Sequence, residues 1–487
     1  MHPLHGWLRA SRPQRQQAIR ALFGGTWPPV QDYAELVKVP GQWGVFASLG
    51  PHFHYAVFGR DSIETAEDLV ATHPALVHDI ILALCRLQGT TTNPITEEEP
   101  GKIHHEHRTL HLDGFTIPPH SQRILHDLQQ VWGGLGTNEM TYYGSHDATP
   151  LFVRLVGRYV ARYGGSILDE QCMCRNRQPA TVRACAAAAL AWLTEKVEAY
   201  PPGLFAYQRL NPQGIANQDW KDSQTSHLHA DGSLPNFTQG IASIEMQGYA
   251  YDAFRTGITL RLGTISDHHR WAALAHRLQQ QTLRLLWWPD APYFAQALDI
   301  DHTGRVRQLA TVTSDPAALL DSHLLHDLPA EQAVPYIQAL VRMVYSPELL
   351  TPIGIRSRAV RHWALLPYID YHGPNTVWPK ETFDIAKGFR RAGLPHLAAD
   401  LERRLAHSLE EAGEFSEFFY VSRDGKVWYD RGEALAHFGA ESPGQTLPVP
   451  EPGQAWTIAA AIRIASQQQQ LPPLTAFEHA ILSTLHL

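Results

Sequence analysis

The chain has 487 residues, of which 44% are hydrophobic and 18% charged, and its 48 acidic and 40 basic residues give a net charge of −8. This composition excludes a disordered chain, and the lack of a run of basic residues argues against nucleic acid or a membrane surface as the partner. No stretch approaches the roughly eighteen apolar residues of a membrane-spanning helix, and the first residues lack the apolar core of a signal peptide. We therefore expect a cytoplasmic protein with a small-molecule partner.

Apolar residues recur at helical spacing along nearly the whole chain after residue 60, and strand-like alternation occurs only in short patches. This pattern predicts an all-α fold with minor β-hairpins in loops. The twelve predicted helices are 61–72, 73–88, 147–163, 179–200, 244–262, 267–287, 315–326, 329–345, 381–392, 395–411, 454–466 and 473–486.

The connections between these helices alternate in length. Links within successive pairs are short, whereas the links between pairs are 89–146, 201–243, 288–314, 346–380 and 412–453. Such long links are typical of functional loops. Six helical hairpins closed in a ring, an (α/α)6 barrel, would place all of them on one rim. We predict this barrel for 51–487, with 1–50 as an N-terminal extension packed on it. A helical solenoid is the alternative, but the pairs show no repeat of fixed period.

Tryptophan and acidic residues concentrate in the long links. In a concave site they suit a sugar, because aromatic rings stack on its apolar faces and polar groups bind its hydroxyls. Cleavage of a glycosidic bond requires two carboxyl groups flanking that bond. Asp222 and Glu417 lie on different long links of the expected rim, although two of 48 acidic residues on one rim are also expected by chance.

Cysteine and histidine residues give no recognised metal-binding pattern. The four cysteines, at 85, 172, 174 and 185, lack the paired Cys-x2-Cys spacing of a four-thiolate zinc site, and we interpret them as reduced and structural. The histidine-rich segments 52–54 and 104–108 do not match the HExxH zinc motif. The sequence therefore predicts neither a metal nor a cofactor.

Nine segments, in order, resemble the amylo-α-1,6-glucosidase half of glycogen debranching enzymes and relatives with the same barrel, including glycoside hydrolase family 63. They are FGRDS (58–62), EEEPGKIHHEHR (97–108), YYGSHDATPLF (142–152), NQDWKDS (217–223), IEMQGYAYDA (244–253), PIGIRS (352–357), YHGPNTVWP (371–379), FSEFF (415–419) and QAW (454–456).

The resemblance implies an inverting glycosidase in an (α/α)6 barrel. It implies that Asp222, after Trp220, is the general acid and that Glu417, in FSEFF, is the general base. The sugar site that it implies comprises Arg60, Asp61, Asp147, Trp220, Gln247, Arg356, Trp378, Gln454 and Trp456. The structural alternatives are a helix cap for Asp61, an ion pair for Arg60 and a packing role for Trp378. Lys221 is expected to point outward as a solvated charge.

The chain departs from the family in several places. Lys380 and Glu381 replace the usual His-Asp, and Glu441 is a rival base between FSEFF and QAW. The N-terminal β-domain common in these enzymes and the transferase half of debranching enzymes are missing. We therefore expect a short α-glucoside or oligosaccharide as the substrate. The alternatives are an inverting phosphorylase or fructosidase on the same barrel, or a non-catalytic sugar-binding protein.

Overall fold

The computed structural model describes residues 6–7, 9–25, 33–39, 41, 43–112, 116–441, 447–467 and 471–485. The α-helices are α1 (Arg12–Phe23), α2 (Gly59–Leu69), α3 (Pro74–Leu87), α4 (Pro119–Trp132), α5 (Ala148–Tyr163), α6 (Val182–Ala199), α7 (Ile244–Thr259), α8 (Ile265–Leu285), α9 (His323–His326), α10 (Ala330–Val344), α11 (Pro379–Arg391), α12 (Pro395–Ala412), α13 (Arg431–Glu441), α14 (Ala455–Ser466) and α15 (Ala476–Leu482). In these ranges no helix is long and apolar enough to cross a membrane.

The strands are short and form small antiparallel sheets in the links. They are β1 (Ala56–Phe58), β2 (Glu106–Thr109), β3 (Glu139–Tyr142), β4 (Gln171–Met173), β5 (Pro179–Thr181), β6 (Ala242–Ser243), β7 (Trp287–Trp288), β8 (Tyr293–Phe294), β9 (Ala297–Ile300), β10 (Val306–Leu309), β11 (Leu350–Thr351), β12 (Gly354–Ile355), β13 (Thr376–Val377), β14 (Phe419–Val421) and β15 (Val427–Trp428). The three-stranded sheets have the orders β1-β2-β3, β10-β9-β6 and β13-β14-β15. The fold is mainly helical, as predicted.

Each of the twelve predicted helical ranges overlaps a helix, with one change of type. The range 315–326 is a 3-10 helix, Asp315–Asp321, followed by the single turn of α9. Three further helices, α1, α4 and α13, were not predicted. In α1 only Ile19 and Leu22 are buried, so its apolar stripe is too narrow to give a clear helical period.

Six segments contact one another in a closed circuit. Helix α2 contacts α5, α5 contacts α7, α7 contacts the 3-10 helix Asp315–Asp321, that helix contacts α11, α11 contacts α14, and α14 contacts α2. Every residue of α2 is buried, whereas α3, α6 and α8 bury one face only. The circuit is thus an inner layer, and the helices that follow its members in the chain lie outside it.

The last predicted helical pair differs from the expectation. Its second helix is the seven-residue α15, and Glu478 in it accepts a hydrogen bond from the backbone N–H of His396, at the start of α12, at 2.8 Å. The N-terminal helix α1 packs against both α12 and α14. Residues before 50 therefore contribute directly to the layer outside α14.

Buried ion pairs join the members of the circuit. Arg154 of α5 donates from Nε and Nη2 to the two carboxylate oxygens of Glu67 in α2, at 2.8 and 2.6 Å. Arg158 donates to Glu67 at 2.9 Å and to Asp321 at 2.6 Å. Removing one member of a buried pair of this kind costs about 3–5 kcal/mol, since the other charge is left uncompensated. These pairs fix the relative positions of α2, α5 and the 3-10 helix.

Candidate active site

Arg60 connects three segments of the chain at one end of the circuit. Gly59 starts α2 against the His104 carbonyl, which would lie 2.1 Å from a Cβ at that position. The Arg60 side chain then donates from Nε to Asp147 Oδ2 at 2.6 Å, from Nη2 to the Asp219 carbonyl at 2.7 Å and from Nη1 to Asp222 Oδ2 at 3.4 Å. Arg60 and Asp147, both predicted for the site, are therefore brought together with Asp222.

Asp147 is itself fixed by the start of α5. Its Oδ1 accepts hydrogen bonds from the backbone N–H of Ala148 at 2.8 Å and from the Ser145 hydroxyl at 2.6 Å. The carboxylate thus caps α5 while it holds Arg60. Capping satisfies one of the free N–H groups of the first helical turn.

The segment before Asp222 is locked by its own buried contacts. Gln218 donates to Glu97 at 2.7 Å, and the Asp219 carboxylate lies 2.8 Å from the His227 ring. Lys221 is 1% exposed and forms ion pairs with Asp315 and Glu381. The expectation that Lys221 points into solvent is therefore wrong, because its ammonium group forms ion pairs with two buried carboxyl groups.

Asp222 is the partly exposed member of this segment, with 29% of its side chain accessible. Loss of solvation in the site raises the pKa of Asp222 to about 6, although the Arg60 guanidinium acts to lower it. A carboxyl group with a raised pKa can donate a proton near neutral pH. Asp222 combines that property with access to the solvent side of the site.

Glu417 is buried and held by two donors. The Tyr371 hydroxyl donates to Oε1, and the backbone N–H of Glu451 donates to Oε2 at 3.0 Å. The Glu417 N–H in turn donates to the Glu451 carbonyl at 3.0 Å. Burial raises the pKa of Glu417 to about 8, although the two donors oppose the rise by stabilising the carboxylate.

Glu451 is a second buried carboxylate beside Glu417, and the sequence interpretation missed it. Its Oε2 accepts a hydrogen bond from the Ser48 hydroxyl at 3.0 Å, and its Oε1 has no hydrogen-bond partner among the described residues. Its position three residues before Gln454 in EPGQAW was the available signal. The rival base Glu441 ends α13, and its side chain lies outside the described part of the chain.

Asp61 interacts electrostatically with both candidate catalytic carboxyl groups. Gln454, the residue before α14, donates from Nε2 to Asp61 Oδ1 at 3.1 Å. Burial raises the pKa of Asp61 to about 7, and the Asp222 charge adds to the rise. The Asp61 charge also raises the pKa of Glu417. Helix α2 begins at Gly59, two residues before Asp61, so Asp61 is not the residue that precedes and caps the helix.

An aromatic cluster forms the wall around these groups. Trp220 packs edge-on against Trp378, with ring centroids 5.4 Å apart, and Trp378 stacks on His372 at 4.8 Å. Phe418 and Trp456 belong to the same cluster. Trp378 is only 1% exposed, so it supports Trp220 by packing. The structure thus brings all three predicted tryptophans together.

A charged layer lies behind Trp220, within the helix circuit. The ammonium groups of Lys221 and Lys380 are 5.2 and 4.8 Å from the Trp220 ring centroid. Lys380 forms an ion pair with Asp384 at 2.7 Å, and Glu381 pairs with Lys221 at 3.0 Å. The Lys380–Glu381 departure from the family pattern is therefore part of an internal network of ion pairs that supports the tryptophan.

Gln247 and Arg356 are the predicted site residues that the structure does not bring to the carboxyl groups. The Gln247 amide is fully buried and is occupied by the backbone of Phe205 and Ser243. Arg356 donates to the carbonyls of Pro374 and Ser422, both at 2.7 Å. Both side chains hydrogen-bond to backbone groups. These bonds explain why the two residues are polar without a ligand.

Comparisons with known proteins were made with both sequence and structure. No protein-family model and no curated protein matches the chain. Among solved structures, a glycosidase described as wild type matches with a TM-score of 0.53 and 14% identity, over 96% of this chain and 99% of that chain. A GH63 mannosylglycerate hydrolase from Thermus thermophilus, in complex with glucose, matches with a TM-score of 0.52 and 14% identity, over 93% and 100%. The chain therefore shares the fold of these glycosidases over nearly its whole length.

Proposed function

We propose that this protein is an inverting glycoside hydrolase that cleaves an α-glucosidic bond in a short glucoside or oligosaccharide. The catalytic unit is an (α/α)6 barrel over 51–487, whose inner ring is the closed circuit of helix contacts. The similar structures are glycosidases, and one of them is in complex with glucose. Their names favour a family 63-like enzyme over an amylo-α-1,6-glucosidase.

The observation that carries this proposal is that Asp222 and Glu417 face a shared set of neighbours. Tyr371 donates to Glu417 and also interacts electrostatically with Asp222. Asp61 interacts electrostatically with both carboxyl groups. Two carboxyl groups across one small site are what hydrolysis of a glycosidic bond requires.

We assign Asp222 as the general acid. It is the more exposed of the two carboxyl groups and so the more accessible to a leaving oxygen, and burial raises its pKa to about 6, closer to neutral pH than that of an ordinary aspartic acid. Arg60 orients it through a single long hydrogen bond, which leaves the other carboxylate oxygen, Oδ1, free of that contact. The proton would pass from Asp222 to the oxygen of the leaving sugar or alcohol.

We assign Glu417 as the general base. Its two donors favour the carboxylate, which would accept a proton from the attacking water. Glu451 positions Glu417 through main-chain hydrogen bonds, so its side chain is not required for that role. A separation of about 6.5–9.5 Å between the Asp222 and Glu417 carboxyl groups would leave room for this water.

The predicted residues near these carboxyl groups divide into three groups in this proposal. Asp61 and Gln454 bind sugar hydroxyls, because their polar side chains meet and Asp61 interacts with both catalytic groups. Arg60 and Asp147 are positioning residues that act through Asp222. Trp220 and Trp456 belong to the apolar wall against which a sugar ring would pack, and Trp378 supports that wall from within the cluster.

Asp222→Asn should reduce kcat on the best substrate by about 10²–10⁴-fold, because the substitution keeps the volume and removes the transferable proton. Activity would be measured on α-linked glucosides, sucrose and trehalose, with and without inorganic phosphate. The matched control is Asp231→Asn in the same link, where the side chain is exposed and bonded only to Ser233. Wild-type activity of the Asp222 variant would refute the assignment.

The identity of the base is tested by three parallel variants. Glu417→Gln should lower kcat by about 10²–10⁴-fold, since it removes the proton acceptor. Glu451→Gln keeps the main-chain bonds to Glu417 and should lose less than about tenfold, and Glu441→Gln should retain full activity. A loss confined to the Glu451 or Glu441 variant would move the base to that residue.

The pH dependence of kcat/KM should be bell-shaped, with limbs near pH 6 and pH 8. The pair holds one proton between the raised pKa values of about 6 and about 8, and because Glu417 has the higher pKa, the reactive form with that proton on Asp222 is the minor of the two singly protonated forms. Asp61→Asn removes a charge that raises the Glu417 pKa, so it should move the alkaline limb to lower pH. A rate that rises steadily to high pH would contradict this description of the pair.

A further inference from the structure

All four cysteines of the chain converge on one place, outside the candidate active site. Cys85 is near the end of α3, Cys172 is in β4, Cys174 directly follows β4, and Cys185 is in the first turns of α6. The Sγ atoms of Cys85, Cys172 and Cys185 all lie within 4.8 Å of one another. The Cys174 thiol interacts with those of Cys172 and Cys185. All four residues are buried.

The local fold explains this convergence. Alternate residues of a strand point to the same face, so Cys172 and Cys174 both turn inward while Met173 between them is exposed. Strand β4 pairs with β5, and Thr181 at the end of β5 caps α6 by accepting from the Ala184 N–H at 3.1 Å. This short connection brings Cys185 back to the two strand cysteines.

We propose that the four thiols bind one zinc ion in a closed, structural site. Zinc prefers four tetrahedral ligands, and thiolates at about 2.3 Å from the metal lie roughly 3.8 Å from one another. The three sulfur atoms within 4.8 Å of one another need move only by about 1 Å to reach that spacing. Cys174, whose Sγ lies 3.8 Å from the Cys85 carbonyl oxygen, would turn to supply the fourth ligand. The sequence interpretation excluded such a site because the ligands come from three elements and not from two Cys-x2-Cys pairs.

A cation accompanies the cluster. The Arg86 guanidinium interacts electrostatically with the Cys172 thiol. Four thiolates around a divalent cation leave a net charge of about −2, which a nearby guanidinium would partly offset. Arg86 directly follows Cys85 in α3.

A metal here would connect the β4–β5 hairpin to the outer helix layer. The two strands have three residues each, and a two-stranded hairpin of this size is at best marginally stable alone. Zinc bound by thiolates contributes its binding free energy to folding. The site would therefore hold the hairpin against α3 and α6 without requiring a larger apolar core at this position.

The test is the zinc content of the full-length protein, purified in reducing buffer without chelator and measured by inductively coupled plasma mass spectrometry. One zinc per chain is expected, falling at least tenfold in Cys172→Ser and in Cys185→Ser. Met173→Ser, between the strand cysteines and exposed, is the matched control and should keep its zinc. Cobalt added to chelator-treated wild-type protein should give the absorption of tetrahedral cobalt–thiolate coordination.

Three results would overturn the proposal, and all are obtained on wild-type protein, so they do not depend on folding of the variants. One is less than about 0.1 zinc per chain after reconstitution with excess zinc and dialysis. Another is a disulfide between any two of the four cysteines in protein purified under reducing conditions. The third is a rate of reaction of the four thiols with a thiol reagent that is the same with and without chelator.

Discussion

The site depends on one buried guanidinium. Burial alone would lower the pKa of Arg60, but the carboxylates of Asp147 and Asp222 outweigh it and keep the group charged. Arg60 donates hydrogen bonds to Asp147, to Asp222 and to the Asp219 carbonyl. These bonds hold the start of α2 against the cap of α5 and against the link that carries Asp222. Because these contacts join segments distant in the chain, the position of Asp222 follows from the helix circuit as a whole.

The two proposed catalytic carboxyl groups are controlled in different ways. Asp222 is partly exposed and shares the Arg60 guanidinium with Asp147. Glu417 is buried, accepts two hydrogen bonds and interacts with the acidic groups Asp61 and Glu451. Burial raises both pKa values, and specific partners then lower each of them by a different mechanism. In our proposal, this difference in surroundings is what separates the acid role from the base role.

The charged layer behind Trp220 shows why so many acidic residues of the chain are not catalytic. Lys221 and Lys380 each form ion pairs with two carboxylates and also contact the tryptophan ring. A buried ion pair contributes little net stability, but removing one partner is costly, so the network strongly resists rearrangement. It holds Trp220, and therefore the residue two positions later, Asp222, in one arrangement.

Sequence periodicity was sufficient for most of the helices, because an amphipathic helix repeats its apolar residues locally. It missed α1, whose buried stripe is only two residues wide. The order of the motifs led to Asp222 and Glu417 as the proposed catalytic pair. The sequence could not show that Gln247 and Arg356 hydrogen-bond to buried backbone, since such a side chain looks the same in sequence as one that binds a ligand. Glu451 was missed, and the clustering of the four cysteines was not foreseen, because both depend on contacts between distant segments.

The anomeric configuration of the first product is the most direct test of the proposed chemistry. Purified protein would be incubated with α-glucosides, and the anomeric proton of the released sugar would be followed by NMR before mutarotation. The account predicts that the β-anomer appears first, because water activated by Glu417 attacks opposite to the bond protonated by Asp222. Initial release of the α-anomer would contradict it and would require a covalent intermediate.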